Sequence, residues 1–224
     1  MLNKIKNGFT LAEVLITLVI IGVVAALTIS AVINTYVERS TISKVKKGLS
    51  TLAQAKKLAE AQNGSIVGWD FGEGSTAQTA SDFWQYIKPH LAVVKDCGSG
   101  TSCYHSNVLF HLNGDLDTTN HNLHNRYYKF ILADGGVMWY RMADHGKCNR
   151  TESGYNNVCA VFFYDVNGVK APNTIGRDVF LYVMNVDGVY PYNESNQFND
   201  CELNKSGRNC SMYIIKNDNM NYLH

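Results

Sequence analysis

The hydrophobic pattern divides the chain in two. From Phe9 to Ile33 apolar residues run on almost without relief, and Glu13 is the one ionisable side chain among them. At a rise of about 1.5 Å per residue, such a run crosses a bilayer core of roughly 30 Å with length to spare. A secretory signal peptide, with an apolar core of roughly 7–15 residues and a small-residue cleavage site, fits less well. Beyond Asn34 the pattern changes without breaking. Ile42, Val45, Leu49, Leu52, Ala55 and Ala59 recur at steps of three and four, with Lys and Gln on the other face. Neither Pro nor a Gly pair interrupts Phe9 to Gln62; single glycines stand at Gly22 and Gly48, and Asn63-Gly64 is a helix stop. The pattern predicts one helix of about 54 residues, roughly 80 Å long, apolar all round in its first half and amphipathic in its second.

After Gly64 the helical period fades. Ser81–Ile87 reads as a short capped helix ending before Pro89. Strand-like runs follow at Val108–His111, Tyr127–Ala133, Val137–Arg141, Ala160–Asp165, Val179–Val186 and Tyr213–Ile215. Asp134-Gly135-Gly136 and Asp187-Gly188 are hairpin turn signals between such runs. Residues 113–126, rich in Asn, Asp, Thr and His, read as an exposed loop. These elements predict an α+β fold in which the second half of the long helix packs on an antiparallel sheet.

Composition sharpens the division. A length of 224 residues suits one globular domain plus an extension. The net charge of +1 gives no support to nucleic-acid binding, and 46% hydrophobic residues exclude a disordered chain. Through residue 62 there are eight Lys/Arg against three Glu; the remainder has 12 basic and 16 acidic residues and all six cysteines. Cys97, Cys103, Cys148, Cys159, Cys201 and Cys210 fall as three neighbouring pairs, each enclosing turn residues. The expected disulfides are therefore 97–103, 148–159 and 201–210, each contributing at most roughly 2–3 kcal/mol by loop closure. Zinc is the rival, but no C-x₂-C pair is present. Disulfides imply an exported head. They orient the chain better than the positive-inside rule, because Arg39 and Lys44 to Lys47 blur the charge asymmetry.

Glu13 needs an explanation, since an ionised carboxylate inside a bilayer costs several kcal/mol without a partner. One reading is a helix-end side chain reaching the headgroups. The other lies in its surroundings: a short basic leader, then Gly8-Phe9-Thr10-Leu11-Ala12-Glu13-Val14-Leu15-Ile16. This register resembles the signal of type IV prepilins and type II secretion pseudoprepilins. The resemblance covers about the first 35 residues. It implies cleavage between Gly8 and Phe9 by a membrane prepilin peptidase, usually with N-methylation of the new Phe9 amine. It further implies that Glu13 pairs with that amine on a neighbouring subunit inside a filament. The implied segments are a leader at 1–8, a transmembrane and assembly helix at 9–34, its amphipathic continuation at 35–63 and a head at 64–224. Many pilins have a helix-breaking Pro late in the apolar run; this chain has Ser30 there and no Pro before Pro89.

Asp165-Val166-Asn167-Gly168-Val169-Lys170-Ala171-Pro172-Asn173-Thr174-Ile175-Gly176-Arg177-Asp178 resembles a stretch found in bacterial prepilin-like proteins with large heads. Its oxygen-bearing side chains make Asp165, Asn167 and Asp178 candidate Ca²⁺ ligands, and major pseudopilins bind Ca²⁺ in a C-terminal loop. The alternative, and the expectation, is an Asn-Gly turn with an Asn-Pro-rich connection to the next strand. His105, His111, His121 and His124 show no ordered metal spacing and read as solvated loop and strand residues. G-x-S-x-G, H-E-x-x-H, P-loop and Rossmann patterns are missing. Trp84, Trp139, Tyr127, Tyr128, Phe162 and Phe163 read as core.

The expected function is structural, not enzymatic. The chain would be a pilus or pseudopilus subunit held as a single pass in a bacterial inner membrane, head in the periplasm or beyond. It would then join a periplasmic or cell-surface filament. The implied partners are other pilin or pseudopilin subunits, prepilin peptidase, an inner-membrane assembly platform and membrane lipid. The alternatives are a minor tip subunit with a binding head and, third, a membrane-anchored extracytoplasmic enzyme or receptor.

Overall fold

The structure, a computed structural model, describes residues 8–100, 103, 108–119, 125–143, 147–193 and 201–224. The chain divides into two compact units between Ser40 and Thr41. Helix α1 (Leu11–Asn63) makes up most of what is described of the first unit, then supplies the opening helix of the second. It stops where Asn63-Gly64 predicts: Gly64 takes φ +78° and its N–H closes on the Glu60 carbonyl at 2.9 Å.

In the second unit α1 is followed by α2 (Ala77–Ile87), β1 (Val93–Gly98), β2 (Tyr128–Leu132), β3 (Val137–Met142) and β4 (Arg150–Glu152). Then come β5 (Tyr155–Asp165), β6 (Val179–Asn185), β7 (Val189–Pro191) and α3 (Cys210–Asn217). Among the described residues the seven strands form one sheet of order β1-β2-β3-β5-β6-β7, with β4 paired to β5. Every pairing is antiparallel. The Asp134 and Asp187 turns join β2 to β3 and β6 to β7, and the α+β architecture is the expected one.

Three local readings differ. Tyr213–Ile215 lies in α3, not a strand: Cys210 and Ile214 are buried one helical turn apart, and so short an apolar run carries no decisive period. Val108–His111 is not a strand: Phe110 makes isolated bridges to Leu116 and Thr174. The second helix begins at Ala77, four residues before Ser81, because Thr76 and Thr79 form a reciprocal capping box. The 113–126 segment is a loop where described, yet Asp117 within it is buried.

Both faces of the sheet are apolar, and the strands alternate between them. Met138 and Tyr140, Phe162 and Tyr164, and Phe180 and Tyr182 point to the face that carries α1 and α2. Trp139, Phe163, Leu181 and Val183 point to the other, where Leu109 and Ile175 cover them. Trp84, Trp139, Tyr127, Tyr128, Phe162 and Phe163 are all buried. The six cysteines join as Cys97–Cys103, Cys148–Cys159 and Cys201–Cys210, with Cα separations of 5.7, 3.9 and 4.8 Å. Buried Lys129 holds the first disulfide loop through Nζ–H to the Gly100 carbonyl at 2.8 Å, and burial pulls its ammonium down to about 8.

The helix face toward the sheet is Thr41, Val45, Gly48, Leu52, Ala55 and Ala59, spaced four and three. Gly48 sits at its centre because the Tyr164 ring lies there. A Cβ on Gly48 would stand 2.8 Å from Tyr164 Cδ1 and 3.1 Å from Tyr182 Oη. The Tyr182 hydroxyl donates to the Val45 carbonyl at 2.8 Å, and the Tyr164 hydroxyl donates to Asp134 at 3.1 Å. Asp134 also pairs with Lys47 at 3.2 Å. Not all the lysines of this helix are solvated: Lys44 donates to the Val166 carbonyl, and buried Lys56 donates to Glu60 and the Val186 carbonyl. Their aliphatic stems lie along the apolar face while their amines close the loops at the strand ends.

Replacing Gly by Ala inside a helix ordinarily stabilises by about 1 kcal/mol. Gly48→Ala should instead destabilise by about 1–3 kcal/mol, since the new methyl overpacks against Tyr164. Thermal melting of the full chain in detergent checks the sign, and a raised melting temperature would contradict it.

Candidate functional site

The leader residues 1–7 lie outside the described residues. Gly8, Phe9 and Thr10 precede the first helical turn, and the Phe9 side chain is 91% exposed. The Gly8–Phe9 bond therefore sits in non-helical backbone, the form in which a peptide bond can enter a protease cleft.

Thr10 is the helix N-cap. Its N–H and its hydroxyl both donate to Glu13 Oε2 at 2.8 Å, and the Glu13 N–H donates back to Thr10 Oγ1 at 3.3 Å. This is a capping box, in which a Thr and a Glu three residues on satisfy each other's backbone donors at the helix start. Thr10 was absent from the candidate residues, although Thr-x-x-Glu ahead of an apolar run is a legible signal for it. Glu13 thus has a local partner within its own turn.

Beyond Glu13 the helix contains a stretch long and apolar enough to cross a membrane, none of it buried by the rest of the chain. Its threonines do not spoil that surface. Thr17 Oγ1 donates to the Val14 carbonyl and Thr28 Oγ1 to the Val24 carbonyl, each at 2.9 Å, so neither hydroxyl needs water. Helix α1 runs unbroken past Gly22 and Ser30.

The second candidate cluster, Asp165, Asn167 and Asp178, is hydrogen-bonded within its own loop. Asp165 and Asp178 are buried, but their oxygens face N–H donors. Asp178 Oδ2 accepts from Asn167 Nδ2 at 3.0 Å and from the Asn173 N–H at 2.9 Å; Oδ1 accepts from the Thr174 N–H at 2.6 Å. Asp165 Oδ1 accepts from the Asn167 N–H at 3.1 Å. Burial, only partly opposed by these donors, leaves the Asp178 carboxyl above its ordinary value. A cation would have to displace three N–H groups that already fill the Asp178 carboxylate. The loop is organised by its aspartates as a turn and strand connection.

Among the described residues no group of three or more His, Cys, Asp and Glu is placed to hold a metal. His105, His121 and His124 lie outside the described residues; His111 Nε2 stands 3.8 Å from Asp117.

The family model for the prokaryotic N-terminal methylation motif matches residues 3–29, which contain Gly8, Phe9, Thr10 and Glu13. No curated protein and no solved structure matches the chain. The chain therefore carries the prepilin-type signal of type IV pilins and pseudopilins. Together the motif and the apolar helix that follows support a pilin-like precursor and fit a membrane-anchored protein. The motif implies processing by prepilin peptidase and assembly with other pilin subunits.

With both aspartates serving backbone donors, the melting temperature of the full chain should be equal in millimolar Ca²⁺ and in chelator. A Ca²⁺-dependent rise that disappears in Asp165→Ala would make the loop an ion site.

Proposed function

We propose that the protein is a structural subunit of a type IV pilus or type II secretion pseudopilus, without catalytic activity. It enters the inner membrane through α1, with the disulfide-bearing unit on the oxidising, extracytoplasmic side. Prepilin peptidase removes residues 1–8, an assembly platform draws the mature subunit from the lipid, and the chain polymerises through its N-terminal helix. The observation that carries this reading is the register of Gly8, Phe9 and Glu13 at the head of an unburied apolar helix.

The capping box adds a physical step. In the precursor the Phe9 nitrogen is an amide and Glu13 serves Thr10. Cleavage turns that nitrogen into a cationic amine, which a neighbouring subunit's Glu13 can neutralise inside an apolar filament core. A buried charge of either sign is costly alone, so the two are stable there only as a pair. A second reading, a minor subunit displayed at a filament tip with a binding head, is favoured by the mass of 25.0 kDa, large for a major pilin.

Mature protein should begin at Phe9. Its intact mass from membranes should fall by that of residues 1–8, with or without one methyl group. Full-length chain alone, in cells with active peptidase, would refute processing.

Glu13→Val and Glu13→Gln should both be processed and keep a folded head, yet yield no sheared filaments. Gln preserves the capping geometry and removes only the charge. Normal filament yield from Glu13→Gln would reduce Glu13 to a helix cap.

A further inference from the structure

The face of the sheet turned away from α1 does not stay apolar to its end. Along β3 the residues on that face are Val137, Trp139 and then Arg141, which stands opposite Val161 of β5. Around Arg141 the fold gathers three more arginines from distant parts of the sequence: Arg126 before β2, Arg150 on β4 and Arg208 before α3. Together they line a cavity of about 260 Å³ whose inner wall includes Tyr127 and Phe163. The volume lies just under the range usual for sites that hold drug-sized ligands, which suits a smaller molecule.

The charges in this cavity are unequal. Arg141 and Arg150 both bind Glu152, the latter through Nε at 3.0 Å. Among the described residues Arg208 reaches a carboxylate only at 3.9 Å, on Asp117. Arg126 has no carboxylate within ion-pair distance among the described residues; its guanidinium lies 5.3 Å from the centre of the Tyr127 ring, and its buried Nε lacks a hydrogen-bond partner. Among the described residues, four guanidinium groups thus converge where Glu152 is the one acidic residue of the lining, with Asp117 behind Arg208. Partly buried positive charge in excess is costly unless an anion enters to share it. Guanidinium forks, with paired donors in one plane, match the oxygens of carboxylate and phosphate groups.

We propose that this cavity binds a small organic oxyanion of about sugar size, carboxylated or phosphorylated, with Arg126 and Arg208 as the anion-contacting residues. Arg141 and Arg150, held by Glu152, form the rigid back of the site. The aromatic wall of Tyr127 and Phe163 favours an organic molecule over a bare inorganic ion. The site belongs to the head and holds whether or not the chain forms filaments.

Titration calorimetry on the full-length chain in detergent tests the site with glucuronate, glucose 6-phosphate and neutral glucose as probes. At least one of the two anionic sugars should bind with one-to-one stoichiometry, more weakly as salt is raised, and glucose should not bind. Which of the two binds identifies the oxyanion. Arg126→Gln and Arg208→Gln should each weaken that binding at least tenfold. Arg126→Gln should not melt below wild type, because it removes positive charge that no carboxylate among the described residues compensates without ligand. Silence with both anionic sugars, equal binding of glucose, or undiminished affinity in both variants would overturn the proposal. A lower melting temperature for unliganded Arg126→Gln would do the same, by giving that guanidinium a structural role.

Discussion

The second unit depends on how closely its helix can approach its sheet, and two tyrosines set that distance. Tyr164 and Tyr182 stand on adjacent strands, and both point at the turn of α1 around Gly48. A ring of this size fits only if the helix offers no side chain there. In return each hydroxyl, otherwise buried at a cost, finds an acceptor, the Val45 carbonyl for Tyr182 and Asp134 for Tyr164. Lys47 then draws Asp134, and with it the β2–β3 turn, to the same helix. Gly136 in that turn is also pressed against the Tyr164 ring. One aromatic side chain thus fixes helix, strand and hairpin together.

Much of this was legible in the sequence, and what was not has physical causes. The long helix, its stop at Gly64 and the central strands follow from strong periodicity and strong turn chemistry. Hydrophobic period alone marks the helix stripe as Ile42, Val45, Leu49, Leu52, Ala55 and Ala59. Its true centre includes Gly48, which has no hydrophobicity to report; only the Tyr164 ring opposite reveals its purpose. Strand β1 went unseen because its residues are largely exposed and its register is broken by bulges. The processing signal is local and therefore readable, and its Thr10 partner was readable too, since Thr-x-x-Glu is a sequence pattern. The Asp165–Asp178 loop held its ambiguity in the sequence, because the oxygens that would bind a cation are the same ones that organise a turn. The arginine cavity lay beyond sequence reasoning: its four cations are scattered from position 126 to 208 and meet only once the sheet has formed.

The capping box bears on how Glu13 tolerates its position within a single chain. A carboxylate at a helix start meets unsatisfied N–H groups and the positive end of the helix dipole. The first turn of α1 therefore supplies a resting state for the charge, which a filament contact would have to exceed. The proposed filament contact would compete with this intramolecular one and so be reversible in principle, because a departing subunit would have its own ligand to return to.

The sheet is covered on both faces, by α1 and α2 on one and by loop residues such as Leu109 and Ile175 on the other. A neighbouring molecule meeting this unit finds loops and strand edges, never an open apolar sheet. The edges themselves are poor templates: β1 is twice bulged and carries Lys95 and Asp96, and β7 is three residues long with Pro191 at its end. Many copies concentrated in one membrane plane can therefore lie side by side without their heads fusing into a continuous β-structure, and the unit stays a discrete particle at high local density.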